Sequence, residues 1–159
     1  MTERNKNISA LIIFVGLCVL TGLFSSFIMT DGLKLWYPDL VKAPFNPPDW
    51  LFAPVWSVIY IMMGLALWFA WKERKEESFR VAGVLFTVQL FLNGLWSFLF
   101  FYLQNPLAGF VDILCLDLVL IITIAVFYRF SSKAAWLLSP YITWLLFATY
   151  LNGYIVYAN

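Results

Sequence analysis

Between Leu51 and Trp71 the chain runs for 21 residues without a charged side chain. As a helix rising about 1.5 Å per residue, such a run crosses the roughly 30 Å hydrocarbon core of a bilayer. What precedes it is equally constrained. Pro44, Pro47 and Pro48 lie in Lys42–Trp50, and proline fixes φ while pushing its predecessor towards extended geometry. This segment therefore reads as stiff and non-helical. Pro54 falls in the first helical turn, where a missing N–H costs nothing. The charged stretch K-E-R-K-E-E-S-F-R (Lys72–Arg80) ends the run.

The same pattern recurs along the chain. Ile8–Met29 is a further charge-free run, of 22 residues, longer than the apolar core of a signal peptide and without its cleavage pattern. It reads as an uncleaved first helix. The expected spans are about 8–29, 51–71, 81–103, 107–128 and 134–157. Asn105-Pro106 marks a tight turn between the third and fourth, Arg129–Lys133 is a short polar turn, and Pro140 should kink or loosen the last helix. The expected fold is an all-α, five-helix membrane bundle forming one domain over 1–159. Only 12% of residues are charged, against about 25% in soluble domains.

Charge sets the expected orientation. The N-terminus and the connectors at 72–80 and 129–133 share one side and carry eight Lys or Arg; the other side carries Lys34 and Lys42. The positive-inside rule then puts the N-terminus in the cytoplasm. A net charge of +1 gives no reason to expect a nucleic acid partner. Histidine is absent, which removes the commonest metal ligand and catalytic base. Cys18 and Cys115 lie in separate apolar runs and read as small buried hydrophobes. No metal site, no conventional catalytic group and no required cofactor is expected.

Polar and aromatic residues inside the spans need partners or roles. Gln89, Asn93 and Ser97 lie on one face of the third helix, with Trp96 beside Asn93. Trp144, Ala148 and Asn152 repeat that spacing on the fifth, and Trp56, Tyr60 and Met63 share a face of the second. Interfacial belting accounts for Trp71, Tyr102, Tyr128 and Trp136 near span ends, but not for Trp56, Trp96 and Trp144. Two readings stand side by side. One is helix–helix glue made by amides and small residues; the other is an aromatic ligand pocket with a few placed polar groups. Asp112 and Asp117 are about 140° apart around the fourth helix. Asp112 should reach interfacial water, and Asp117 should be protonated or hydrogen-bonded to neutral donors.

K-A-P-F-N-P-P-D-W, P-V-W-S-V-I-Y-I-M-M-G-L-A-L-W, Q-L-F-L-N-G-L-W-S-F-L-F-F and S-P-Y-I-T-W-L-L-F-A-T-Y-L-N resemble the TspO/MBR family of tryptophan-rich sensory and translocator proteins. They occur in that family's order and cover helices two to five with the first loop. The resemblance implies a homodimeric five-helix bundle whose cavity opens towards the first loop and takes porphyrins or synthetic benzodiazepine-type and isoquinoline ligands. It implies a ligand site on Tyr37, Phe45, Pro47, Trp56, Gln89, Asn93, Trp96, Trp144 and Ala148. It also implies a bacterial cell membrane, or the mitochondrial outer membrane in a eukaryote. The C-terminal pattern linked to cholesterol in animal members needs a basic residue, and none follows Lys133, so sterol binding is not expected.

The expected function is binding or sensing of a flat hydrophobic ligand, a metal-free porphyrin by preference, with tryptophan rings stacking on it. Transport of such ligands is the alternative. So is light-dependent porphyrin breakdown, which the resemblance suggests although no nucleophile–base pair is legible. The prolines of the first loop are expected to hold it as a preformed lid, with Phe45 and Trp50 facing inwards.

Overall fold

The computed structural model describes residues 2–73 and 76–159, side chains of 76–78 excepted; Arg74 and Lys75 of the charged connector lie outside the described residues. The α-helices are α1 (Glu3–Leu35), α2 (Phe52–Lys72), α3 (Glu76–Ser97), α4 (Pro106–Tyr128), α5 (Ser132–Leu137) and α6 (Ser139–Ala158). A π-helical turn, Phe98–Tyr102, continues α3. α5 and α6 share one span, so five helical segments are long and apolar enough to cross a membrane. The chain is an integral membrane protein.

Boundaries depart from the sequence reading where polar residues continue a helix. α1 is 33 residues long, well beyond 8–29. Its first turn is held by a Lys6–Glu3 ion pair of 2.9 Å, and Lys34 stands in the last turn, where the helix dipole favours a cation. The last span is loosened next to Pro140, as the sequence reading expected: Leu138 separates α5 from α6, and Pro140 takes the first turn of α6. At the tight turn, Asn105 caps α4 by accepting from the Ala108 N–H at 3.0 Å, and Gln104 adopts φ 50°.

Small residues allow the closest crossings. A Cβ on Gly64 would stand 2.5 Å from the Val15 Cα, so α1 and α2 pack backbone to backbone there. At the α5 end of the bundle, Ala66, Ala70, Ala82, Ala134 and Leu138 are fully buried. Phe86 stacks on Phe127 with centroids 6.2 Å apart. This end is packed shut. Cys18 is buried, but Cys115 is exposed on the outer face of α4.

Both carboxyl groups of α4 are buried. Asp117 accepts from the Thr149 hydroxyl on α6 at 2.8 Å. Asp112 does not reach the surface as its depth suggested. It is buried in the bundle, and its Oδ2 has no hydrogen-bond partner among the described residues.

Candidate ligand-binding cavity

The opposite end of the bundle is hollow. A cavity of about 120 Å³ (the volume open to the centre of a water molecule) lies beneath the first loop. Its walls are built at helical spacing. Trp56 and Tyr60 stand one turn apart on α2, Asn93 and Trp96 come from α3, and Ala148 and Asn152 are one turn apart on α6. The π turn adds Phe100 and Phe101. Such turns recur at functional sites, and here Phe100 stacks on Trp96 at 5.0 Å while Phe101 meets it edge-on at 5.7 Å.

Two hydrogen-bond chains hold these walls. In the first, the Tyr60 hydroxyl donates to Asn93 Oδ1 and Asn93 Nδ2 donates to the Tyr141 hydroxyl at 3.0 Å. In the second, Trp96 Nε1 donates to Asn152 Oδ1 at 3.0 Å, and Asn152 Nδ2 donates to the Pro106 carbonyl at 2.9 Å. The amides thus serve as helix–helix glue and cavity wall at once. The two sequence readings are not exclusive.

The first loop forms the roof. Tyr37 is buried, rests on Phe100 and Phe101, and donates from its hydroxyl to Asn46 Oδ1 at 3.1 Å. Burial pushes its phenol above the ordinary value, so it remains a neutral donor. The Asn159 side chain clasps the loop backbone, accepting from the Val41 N–H at 2.9 Å and donating to the Val41 carbonyl at 3.2 Å. Asp49 and Phe52 close the remaining edge.

Of the residues named from sequence, Tyr37, Trp56, Asn93, Trp96 and Ala148 stand on the cavity wall; Phe45, Pro47, Gln89 and Trp144 do not. Each departure has a local cause. Ala43 to Asn46 form a turn closed by the Asn46 N–H to Ala43 carbonyl bond of 3.0 Å, which puts Phe45 at the outer corner, 78% exposed. Trp50 likewise faces outwards, since the 3₁₀ turn Asp49–Leu51 directs Asp49 and Phe52 to the cavity. Pro47 sits in the loop, where its carbonyl accepts from Asn46 Nδ2. Gln89 shares the Asn93 face but lies about 6 Å deeper, one turn away. It is fully buried, with neither amide atom paired. Trp144 meets the Phe52 ring edge-on at 5.8 Å, and of the two Phe52 stands on the cavity wall.

The sequence reading also passed over wall residues. Tyr60 and Asn152 lay on the chosen faces and were signalled by spacing. The α1 contribution of Gly22, Ser25 and Met29 had one signal, a small-and-polar break in an otherwise apolar run. Gly22 lies against the Tyr60 ring, leaving no room for a Cβ.

A sequence model of the TspO/MBR family matches residues 14–158. The chain belongs to the TspO/MBR family. It is 44% identical over 153 residues to the tryptophan-rich protein TspO of Archaeoglobus fulgidus, covering 96% of this chain and 99% of that one. The TspO of Chlorobaculum tepidum is 43% identical over 159 residues, covering 98% and 99%. The human translocator protein is 38% identical over 130 residues, covering 80% and 76%. The matched span of the TspO/MBR model takes in every helix that walls the cavity.

Proposed function

We propose that this protein binds a flat, largely apolar ligand of the tetrapyrrole type in the cavity under the first loop. The observation that carries the reading is the aromatic enclosure: Tyr37, Trp56, Trp96, Phe100 and Phe101, joined by Phe52 and Tyr60, surround one space whose remaining wall mixes aliphatic side chains with a few polar ones. Flat π systems gain about 0.5–1.5 kcal/mol per well-placed aromatic contact beyond area burial. Ala148, small and on the wall, leaves room for the ligand edge. The names of relatives, translocator protein and tryptophan-rich sensory protein, are consistent with carriage or sensing of such a ligand. A second copy of the chain as homodimer partner, and a cytoplasmic N-terminus, belong to the same reading.

Titration of the purified protein with a metal-free porphyrin, followed by absorbance and fluorescence in the dark and under illumination, tests it. Saturable binding in the dark with a stable porphyrin band is the expected outcome. Light-dependent loss of that band would favour degradation, flux of porphyrin in liposomes would favour transport, and absence of saturable binding would overturn the proposal. Reporter fusions at both termini test the orientation.

A further inference from the structure

The cavity meets its surroundings at Ser26 on α1 and at Asp49, just before α2. These two wall residues are exposed, and the rest of the wall is buried or half-buried. Both stand on one seam. Gly22 lies against the Tyr60 ring where α1 and α2 cross. Ser26, one turn further towards the loop, therefore comes level with the first turns of α2. Met29, Phe52 and Trp56 flank the pair on the wall. The mouth of the cavity is thus the gap between α1 and the beginning of α2.

Among the described residues Asp49 is the one charged side chain on the wall. The amides deeper in are already committed: Asn93 to Tyr60 and Tyr141, Asn152 to Trp96 and the Pro106 carbonyl. Asp49 is not. Neither the 3₁₀ turn it begins nor α2 has a side-chain cap, and among the described residues its carboxylate joins no ion pair. Lys42, the cation of the first loop, stands over the Tyr37 ring at 4.6 Å instead. Burial chiefly, and the Asp49 charge in addition, push the Tyr37 phenol up against the effect of its Asn46 hydrogen bond. The field of the carboxylate therefore reaches the roof. A ligand that fills the mouth takes water from this group, and covering a charge costs free energy unless a partner replaces the water. A cation or an N–H edge is such a partner; a second carboxylate adds repulsion.

We propose that Asp49 is the charge-selecting residue of the cavity, pairing at the mouth with a cationic or N–H-bearing end of a ligand whose flat apolar part lies among the aromatic walls. This rests on the ligand-site reading above and adds a rule of charge to it. Among molecules built on one ring system, the cavity takes the cation over the neutral molecule and the neutral molecule over the anion. A ligand that carries carboxylates turns them away from Asp49.

Three probes on one ring system separate these cases: 1-pyrenemethylamine, a cation at neutral pH, 1-pyrenemethanol, which is neutral, and 1-pyreneacetate, an anion. Their affinities are read from quenching of tryptophan fluorescence in an uncharged maltoside detergent, against empty micelles and against Ala148→Leu, which fills the cavity. The wild-type protein should prefer the amine to the alcohol by about two- to fivefold, the scale of an exposed ion pair, and the alcohol to the acetate. The amine-to-alcohol ratio should shrink towards one in about 1 M salt, where screening acts over roughly 3 Å. Asp49→Asn should bring that ratio to about one at low salt, and Asp49→Glu should restore it. Asp39→Asn removes a charge of the same sign that the loop carries off the wall, and should leave the ratio as in the wild type. Ratios taken within each variant cancel any change in packing. A ratio unchanged in Asp49→Asn would overturn the inference, as would an equal change in Asp39→Asn, a ratio indifferent to salt or a preference for the acetate. Binding of all three probes without preference in the wild type would overturn it while leaving the ligand site standing. No binding of any probe would remove the ligand-site reading and this inference with it.

Discussion

The two ends of this bundle solve the problem of helix association in different ways. At the α5 end, small side chains bring backbones together. Alanines are fully buried and Phe86 lies flat on Phe127. Dispersion between close surfaces is enough there, as expected where lipid offers no hydrophobic drive between helices. At the loop end the helices stand apart around a cavity, and packing alone does not fix their spacing. Hydrogen bonds take over: Tyr60–Asn93–Tyr141 and Trp96–Asn152–Pro106 link α2, α3, α4 and α6 across the hollow. A hollow can persist in a close-packed molecule when directional bonds hold its walls.

If that division is right, damage at the closed end should cost stability, and damage at the hollow end should cost binding. Gly64→Ala should have the largest effect. Its Cβ would meet the Val15 backbone, and overpacking of this kind costs about 1–3 kcal/mol. Thermal unfolding in detergent should fall markedly, while the folded fraction binds porphyrin normally; impaired binding by a fully stable variant would erase the distinction. Next comes Asn152→Leu, which removes two interhelical hydrogen bonds worth about 0.6 kcal/mol each on average. It also frees Trp96, so porphyrin affinity should drop about five- to tenfold, more than global stability alone explains.

Asn159→Ala tests the roof more gently. Loss of the clasp on Val41 should speed porphyrin release about two- to fivefold in stopped-flow measurements, within the range of a pair of exposed hydrogen bonds, with no change in unfolding. Unaltered release would mean the roof holds without α6. Trp144→Phe should have the smallest effect on binding, under about twofold, because Trp144 is off the cavity wall and its aromatic contact with Phe52 is retained. A tenfold loss of affinity would return Trp144 to the site.

Helix faces were legible in the sequence; depth was not. The i, i+4 spacing put Gln89 on the Asn93 face, but a face runs the length of a helix and a cavity occupies only part of it; on α6 Leu145, next to Trp144 in sequence, takes the wall. Nothing in the periodicity says which turn faces the hollow and which lies below its floor. The prolines marked the first loop as rigid, yet the turn they make carries Phe45 and Trp50 outwards and leaves Tyr37 to cover the cavity. That outcome depends on where the chain reverses at Ala43–Asn46, a tertiary matter. The π turn at Phe98–Tyr102 had no sequence signal beyond an aromatic run, since a stretch that is apolar on every side shows no change of phase when a residue is inserted.

The central claim is that the loop-end cavity is where ligand binds. Its most direct test is a porphyrin titration of Ala148→Leu alongside its thermal midpoint. A leucine here enters the cavity from α6 and fills space a ligand would need, at a cost to binding of about 1–3 kcal/mol. The account predicts affinity at least about tenfold weaker with an unfolding midpoint unchanged or raised. Wild-type affinity in a folded Ala148→Leu protein would contradict it and move the ligand elsewhere.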